Sequence, residues 1–202
     1  MEQQYTDFKI AFLGKTGIGK SSLINSLFGL NLPVNTVEEC TKNVIGTWIR
    51  NENKELSLSC DSVMVMDTPG ISAALENDEF YIPFYHHVLS LADCVVWVVQ
   101  GNTRADRADQ EMLLRLKPFI RAETRIVLCV NMVDKIGGEY RKNWDDALNE
   151  PNVALQELID QRCEDVLRKF QEVDFMVEAV VACSAQKVYH LDELLGALRT
   201  AQ

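Results

Sequence analysis

Apolar positions fall into short unbroken runs near the start and middle of the chain and into helix-spaced sets between and after them. Phe8 to Leu13 is one such run, and a glycine-rich stretch follows it directly. Ser22 to Phe28 then reads as a helix, with Gly29 as its natural C-cap. From Leu30 to Asn43 there is no clear period, and Pro33, Asn35 and Thr36 favour an extended loop. Val44–Arg50, Leu56–Ser59 and Val63–Met66 read as strands, and the polar Asn51–Lys54 between them predicts a hairpin turn. An acidic loop is expected from Ile71 to Phe80, then a helix from Tyr81 or Pro83 toward Leu91. Cys94–Val99 and Ile126–Val130 are apolar without alternation, the look of strands covered on both faces. Ala105–Leu116 between them has helical spacing, which gives a strand-helix-strand unit. After an irregular stretch from Ile136 to Pro151 come a helix over Val153–Phe170, a strand within Val173–Val181 and a closing helix over His190–Arg199. The sum predicts a three-layer α/β domain, mainly parallel sheet with one antiparallel edge strand, spanning residues 1–202 as a single unit. No repeat, linker or room for a further module is evident in the pattern.

The chemistry-bearing residues sit at the ends of the predicted strands. Gly14-Lys15-Thr16-Gly17-Ile18-Gly19-Lys20-Ser21, between a strand and a helix, is the context of a phosphate-binding loop. A tight turn into a first helical turn aims several unpaired N–H groups at one point, and glycines let the backbone close on an anion. Lys20 is placed to reach the outer phosphates, Ser21 to ligate Mg2+, and Ser22 continues the loop into the helix. Lys15 has two readings, a cation near the phosphates and, preferred, an exposed lysine facing solvent. Asp67-Thr68-Pro69-Gly70 follows a strand at the carboxyl edge, where such sheets bind ligands. There Asp67 can hold Mg2+ through a water, and the Gly70 N–H can meet a terminal phosphate. Asn131-Met132-Val133-Asp134-Lys135 follows the second buried strand. The Asp134 carboxylate can accept from N1–H and the 2-amino group of guanine, a pair of donors that adenine lacks. Asn131 is expected to tie this loop to the phosphate loop. In Cys183-Ser184-Ala185 the Ala185 N–H is expected to face guanine O6.

With these three motifs together the chain resembles the Era-like small GTPases of the translation-factor class, and more loosely the septin, Toc and AIG families. Among the Era-like proteins it looks most like bacterial Era-related proteins of unsettled role. The likeness covers nearly the whole chain and implies a P-loop GTPase domain that binds GTP with Mg2+ and hydrolyses it to GDP and phosphate. By that likeness Thr41 matches the threonine that reaches Mg2+ when the γ-phosphate is present, with Thr36 as a rival and no hydroxyl on the metal as a third reading. Metal ligation then falls to Ser21, Thr41 and Asp67, and catalytic stabilisation to Lys20, Thr41 and Gly70. Residues from Asp67 to about Phe80 would form the second switch. Two departures stand out: Met132 occupies the usual lysine position of the base-reading motif, and Gly17 the asparagine position that serves a potassium ion in many Era-like proteins. Methionine can still supply apolar contact over the base, whereas glycine cannot hold potassium. Ile71 stands where Ras-like enzymes carry a water-orienting glutamine, so slow intrinsic hydrolysis is expected. A nucleotide-gated binding module with negligible hydrolysis, and a P-loop ATPase or kinase, are the competing readings.

Composition narrows the partners. A net charge of −10 argues against nonspecific binding to nucleic acid or anionic membrane. RNA or ribosome association is therefore not favoured, and a protein effector at the switch loops or a nucleotide-dependent homodimer is expected instead. With no long apolar run and no secretory leader, a cytoplasmic location is the default. The six scattered cysteines read as core thiols, with Cys40 and Cys183 beside the expected nucleotide loops. Tyr81–His87 reads as a helix start or packing segment, not a metal site. Trp48 and Trp144 are open to either a core or a partner surface.

Overall fold

The computed structural model describes residues 6–34, 44–51, 56, 58–71, 75–104, 106–137 and 143–201, with only the backbone described for 75–80. In chain order the elements are β1 (Asp7–Leu13), α1 (Lys20–Phe28), β2 (Ile45–Arg50), β3 (Ser62–Asp67), α2 (Leu75–Leu91), β4 (Cys94–Gln100), α3 (Arg107–Leu116), β5 (Arg125–Asn131), β6 (Trp144–Asp145), β7 (Glu150–Pro151), α4 (Val153–Gln171), β8 (Ala179–Ala182) and α5 (Leu191–Thr200). Single turns of 3-10 helix follow α3 and β5.

The main sheet runs β2-β3-β1-β4-β5-β8. Only the β2–β3 pairing is antiparallel, so the antiparallel strand lies at an edge as the sequence pattern predicts. Alternation along the central strands divides the core. Phe8, Ile10 and Phe12 of β1 join Val96, Val98, Val127 and Cys129 against α1 and α5. Ala11 and Leu13 join Val95, Trp97, Leu128 and Val130 against α2, α3 and α4. Each face of the sheet thus has its own helical cover, which is why β4 carries no polar position until Gln100.

Three expectations change. Leu56–Ser59 is not a strand among its described residues, and β3 begins only at Ser62. Arg50 already pairs with Ser62, so the connection is longer than a four-residue turn. Asn51 organises it: its buried side-chain amide donates to the carbonyls of Leu58 and Cys60 at 2.9 Å and its oxygen accepts from the Leu56 N–H. The acidic loop after Ile71 is mostly the start of α2, which begins at Leu75 and carries Pro83 in its interior. Finally, residues 173–178 do not extend β8. Asp174 has φ 56° and a run of turns packs Phe175 back toward Phe170, so Val173, Phe175 and Val177 join the α4 side of the core while Met176 is exposed.

The loop after β4 is fixed by charge. Asp106 and Arg162 are both buried and form a two-pronged ion pair at 2.6 and 2.7 Å, and Lys169 adds a third contact at 2.9 Å. Burial alone would raise the Asp106 carboxyl, but hydrogen bonds and charge from Arg162 and Lys169 outweigh it and hold it below the usual carboxylate range. Breaking such a pair strands a buried guanidinium, and Asp106→Asn is expected to cost about 3–5 kcal/mol in urea unfolding. A depressed carboxyl contributes stability above its unfolded value of about 4 and loses it as pH falls through the folded value. The variant is therefore expected to show a shallower loss of stability on acidification, measured by urea titrations across that range.

Candidate nucleotide site

The phosphate-loop residues close around their own lysine. Lys20, the first residue of α1, is buried, and its Nζ donates to the carbonyls of Gly14 and Lys15, both at 2.9 Å. Ile18 is buried, and Thr16 and Gly17 lie exposed at the rim. Ser22, half-buried, sits in the first turn of α1. Gly19 precedes the helix at φ 83°, a conformation glycine tolerates, and a Cβ there would lie 2.9 Å from Asn131 Nδ2.

Ser21 and Asp67 converge across the sheet edge. The Ser21 hydroxyl donates to Asp67 Oδ2 at 2.5 Å, and Asp67 is fully buried at the end of β3. A hydroxyl beside a carboxylate is a hard-oxygen donor set, and Mg2+ takes only one or two protein ligands beside phosphate oxygens and water. The pair fits that ion. Thr41, the third expected metal ligand, and its rival Thr36 lie outside the described residues, as does Cys40.

The rest of the Asp67–Gly70 segment is clamped. Thr68 donates to the Phe12 carbonyl at 2.7 Å, and the Tyr85 hydroxyl donates to the Pro69 carbonyl at 2.9 Å, both buried. Gly70 lies against Thr16, and a Cβ on it would meet Thr16 atoms at 2.4 Å. Ile71 then pairs with the phosphate loop itself, its N–H to the Gly14 carbonyl at 3.0 Å and its carbonyl to the Thr16 N–H at 3.1 Å.

At the other end Asn131 is buried and makes two ties. Its Nδ2 donates to the Ile18 carbonyl at 2.9 Å, and its Oδ1 accepts from the Ala185 N–H at 3.1 Å. The first is the link to the phosphate loop that the sequence suggested. The second engages the Ala185 amide that sequence reasoning aimed at the base. Asp134 lies in the 3-10 turn Val133–Lys135, half-exposed, with its Oδ1 accepting from the Ser184 hydroxyl at 2.6 Å. Ser184 is fully buried and also accepts from the Lys187 N–H, so it orients the carboxylate instead of lining a ligand surface. Met132 adopts φ 62°, and its Cε lies within contact distance of a Cβ built on Gly19, so its end covers the phosphate loop.

The preferred reading of Lys15 as an exposed lysine changes: it is partly buried, and its Nζ pairs at 2.7 Å with Asp109 of α3, which is 2% exposed. Burial raises the Asp109 carboxyl, and Lys15 and the Trp97 indole oppose that rise. Cys183 is a buried thiol 3.2 Å from Cys129 Sγ, a core thiol as its sequence context suggested. Contact with Cys183 and burial push the Cys129 thiol well above the ordinary thiol range, and burial pushes Cys94 up to about 12, which favours the protonated form of these two.

Trp144 is buried edge-on against Tyr189 in the loop after β8, whereas Trp48 is exposed on the edge strand. His86 packs on the Phe119 ring inside α2 instead of marking a helix start. Among the described residues no group of three or more His, Cys, Asp or Glu side chains is arranged to hold a metal by itself. The sequence reading missed Thr68 as a clamp, Tyr85 and Asp109. Tyr85 carried a signal, as an aromatic at helical spacing from Val88 and Leu89, but its hydroxyl's target belongs to a distant segment.

Comparison with known proteins follows this geometry. The uncharacterized protein YkfA of Escherichia coli (strain K12) is 32% identical over 110 residues, covering 53% of this chain and 36% of that protein. GTPase Era of Halothermothrix orenii is 23% identical over 153 residues, covering 72% and 48%. The chain thus spans between about a third and a half of these curated relatives. A crystal structure of Era in complex with MgGDPNP and nucleotides of 16S ribosomal RNA superimposes with a TM-score of 0.70 at 21% identity, covering 98% of this chain and 57% of that one. That likeness establishes a shared fold. A family model described as 50S ribosome-binding GTPase matches residues 9–132. With more than half of its length inside that match, the chain belongs to the 50S ribosome-binding GTPase family.

Proposed function

We propose that this chain is a nucleotide switch that binds GTP with Mg2+ and hydrolyses it to GDP and phosphate. The observation that carries the reading is the Asn131 tie, which joins the base-reading loop to the phosphate loop through the Ile18 carbonyl. It fastens the loop that carries Asp134 to the loop that leads into Lys20, as a nucleotide held by both would require. Asp134, oriented by Ser184, would accept from the guanine N1–H and 2-amino groups, and an adenine would leave that acceptor unmatched.

Ser21 and Asp67 would hold Mg2+, with Thr41 as the third expected ligand. When bound, the ion would neutralise charge on the outer phosphate oxygens. Lys20 would exchange its two carbonyl partners for phosphate oxygens, and the Gly70 N–H would meet the terminal phosphate. Gly14, Thr16, Gly17, Ile18, Gly19 and Ser22 would supply the cradle, and Met132 an apolar cover. Water would attack the γ-phosphorus as its bond to the bridging oxygen breaks, releasing GDP and phosphate. Ile71 offers no group to orient that water: its side chain is 1% exposed, in the core with Tyr85 and Leu89. Hydrolysis would therefore be slow without a partner or dimerisation. The same residue favours a second reading, in which hydrolysis is negligible and the nucleotide only gates a protein partner.

Residues 1–202 would act as one G domain, in the cytoplasm, with an effector reading the switch segments. Era is seen with ribosomal RNA, but a net charge of −10 leaves this chain little electrostatic grip on phosphate backbones. RNA association is thus a weaker proposal than a protein effector.

Magnesium-dependent GTP uptake by calorimetry, with ATP far weaker, is the expected outcome, and equal uptake of both would remove the role of Asp134. Multiple-turnover phosphate release then separates a slow enzyme from a nucleotide-gated module. Asp134→Ala is expected to weaken GTP by about 10²-fold or more while leaving ATP nearly unchanged, measured by competition titration. Gly70→Ala places a methyl against the Thr16 backbone, and a loss of binding or turnover of at least about tenfold is expected from displacing either segment.

A further inference from the structure

The phosphate loop has glycines at positions 14, 17 and 19, so little in its own sequence fixes its backbone. Besides Ile18, which is buried in the core, the loop side chain anchored to another element is Lys15. Its ammonium sits 2.7 Å from Asp109, and Asp109 is held from behind by the Trp97 indole N–H at 3.3 Å. Trp97 is itself fully buried in β4 and packs edge-on against Phe170 of α4. This makes an unbroken line from the rigid centre of the sheet through α3 to the loop.

What the line holds is specific. The two carbonyls that accept from Lys20 Nζ belong to Gly14 and Lys15, the peptide groups on either side of the Lys15 Cα. Ile71 pairs with Gly14 and Thr16, the residues flanking the same Cα. Anchoring the Lys15 side chain therefore limits rotation about the one point where the Lys20 seat and the Ile71 tie meet.

We infer that Asp109 is a positioning residue of the phosphate loop, which through Lys15 sets the seat of Lys20 and the register of the Gly70–Ile71 segment. The inference rests on the proposed GTP site. It assigns Lys15 no contact with nucleotide and gives α3 a direct hold on the loop. A salt bridge that only stabilised the fold would shift the melting temperature and leave nucleotide binding alone.

The test uses the full chain and three variants, Lys15→Met, Asp109→Asn and the double. Asp109→Asn keeps an acceptor for Trp97, and Lys15→Met keeps most of the stem. Binding of a nonhydrolysable GTP analogue and of GDP is titrated with Mg2+, and folding is followed by thermal melts. Each single variant is expected to weaken the analogue by about tenfold, as loss of a charge-assisted hydrogen bond implies, and the double to be no worse than either. Wild-type affinity in the singles, or additive losses in the double, would overturn the inference. If Asp109→Asn does not fold, Lys15→Met alone decides: a folded protein with unchanged analogue affinity would overturn it. Failure of the wild-type chain to bind guanine nucleotide at all would instead overturn the GTP site itself.

Discussion

A single buried amide, that of Asn131, sets the distance between the two halves of the site. Both ends of its side chain are spent on backbone, the nitrogen on Ile18 and the oxygen on Ala185. A buried amide left without partners would cost on the order of 1–3 kcal/mol, so the loops that carry those partners are held where Asn131 needs them. Because Asn131 is the last residue of β5, the constraint is transmitted from the parallel sheet and not from the loops. Loops rich in glycine have little stiffness of their own. Here they borrow it from a strand end.

The phosphate side follows the same logic with different groups. Thr68 hangs on the β1 carbonyl of Phe12, Tyr85 holds the Pro69 carbonyl from α2, and Ile71 pairs with Gly14 and Thr16. Each contact engages a backbone group of a neighbouring segment. The segment bearing Asp67 and Gly70 is thereby fastened to β1, to α2 and to the phosphate loop at once. The consequence is a site whose ligand-facing groups are few and whose supports are many.

Much of this was legible from the sequence. The apolar runs at Phe8–Leu13, Cys94–Val99 and Ile126–Val130 mark the strands because a doubly covered strand leaves no polar alternative, and the three motifs sit at their ends because parallel sheets bind ligands there. Local signals failed where the deciding partner is remote. Asn51 reads as a turn residue, yet its amide finds the carbonyls of Leu58 and Cys60, 7 and 9 positions on. Lys15 reads as a surface lysine because nothing nearby announces Asp109, which is 94 positions away in sequence and reached only after α3 folds over the sheet. The acidic start of α2 hides its helix, since helical spacing of apolar residues is not kept there.

Ile71 shows how these constraints bear on chemistry. Its backbone is committed to the phosphate loop and its side chain to the core beneath α2. A polar side chain at this position, the usual means of orienting water, would place an amide among Tyr85, Val88 and Leu89, where burial without partners is costly. The packing that secures the Asp67–Ile71 segment thus excludes a water-orienting polar side chain from the position that follows Gly70. Any acceleration of the proposed hydrolysis would have to come from the groups proposed to meet the phosphates, Lys20 and the loop amides, or from a residue that a partner supplies.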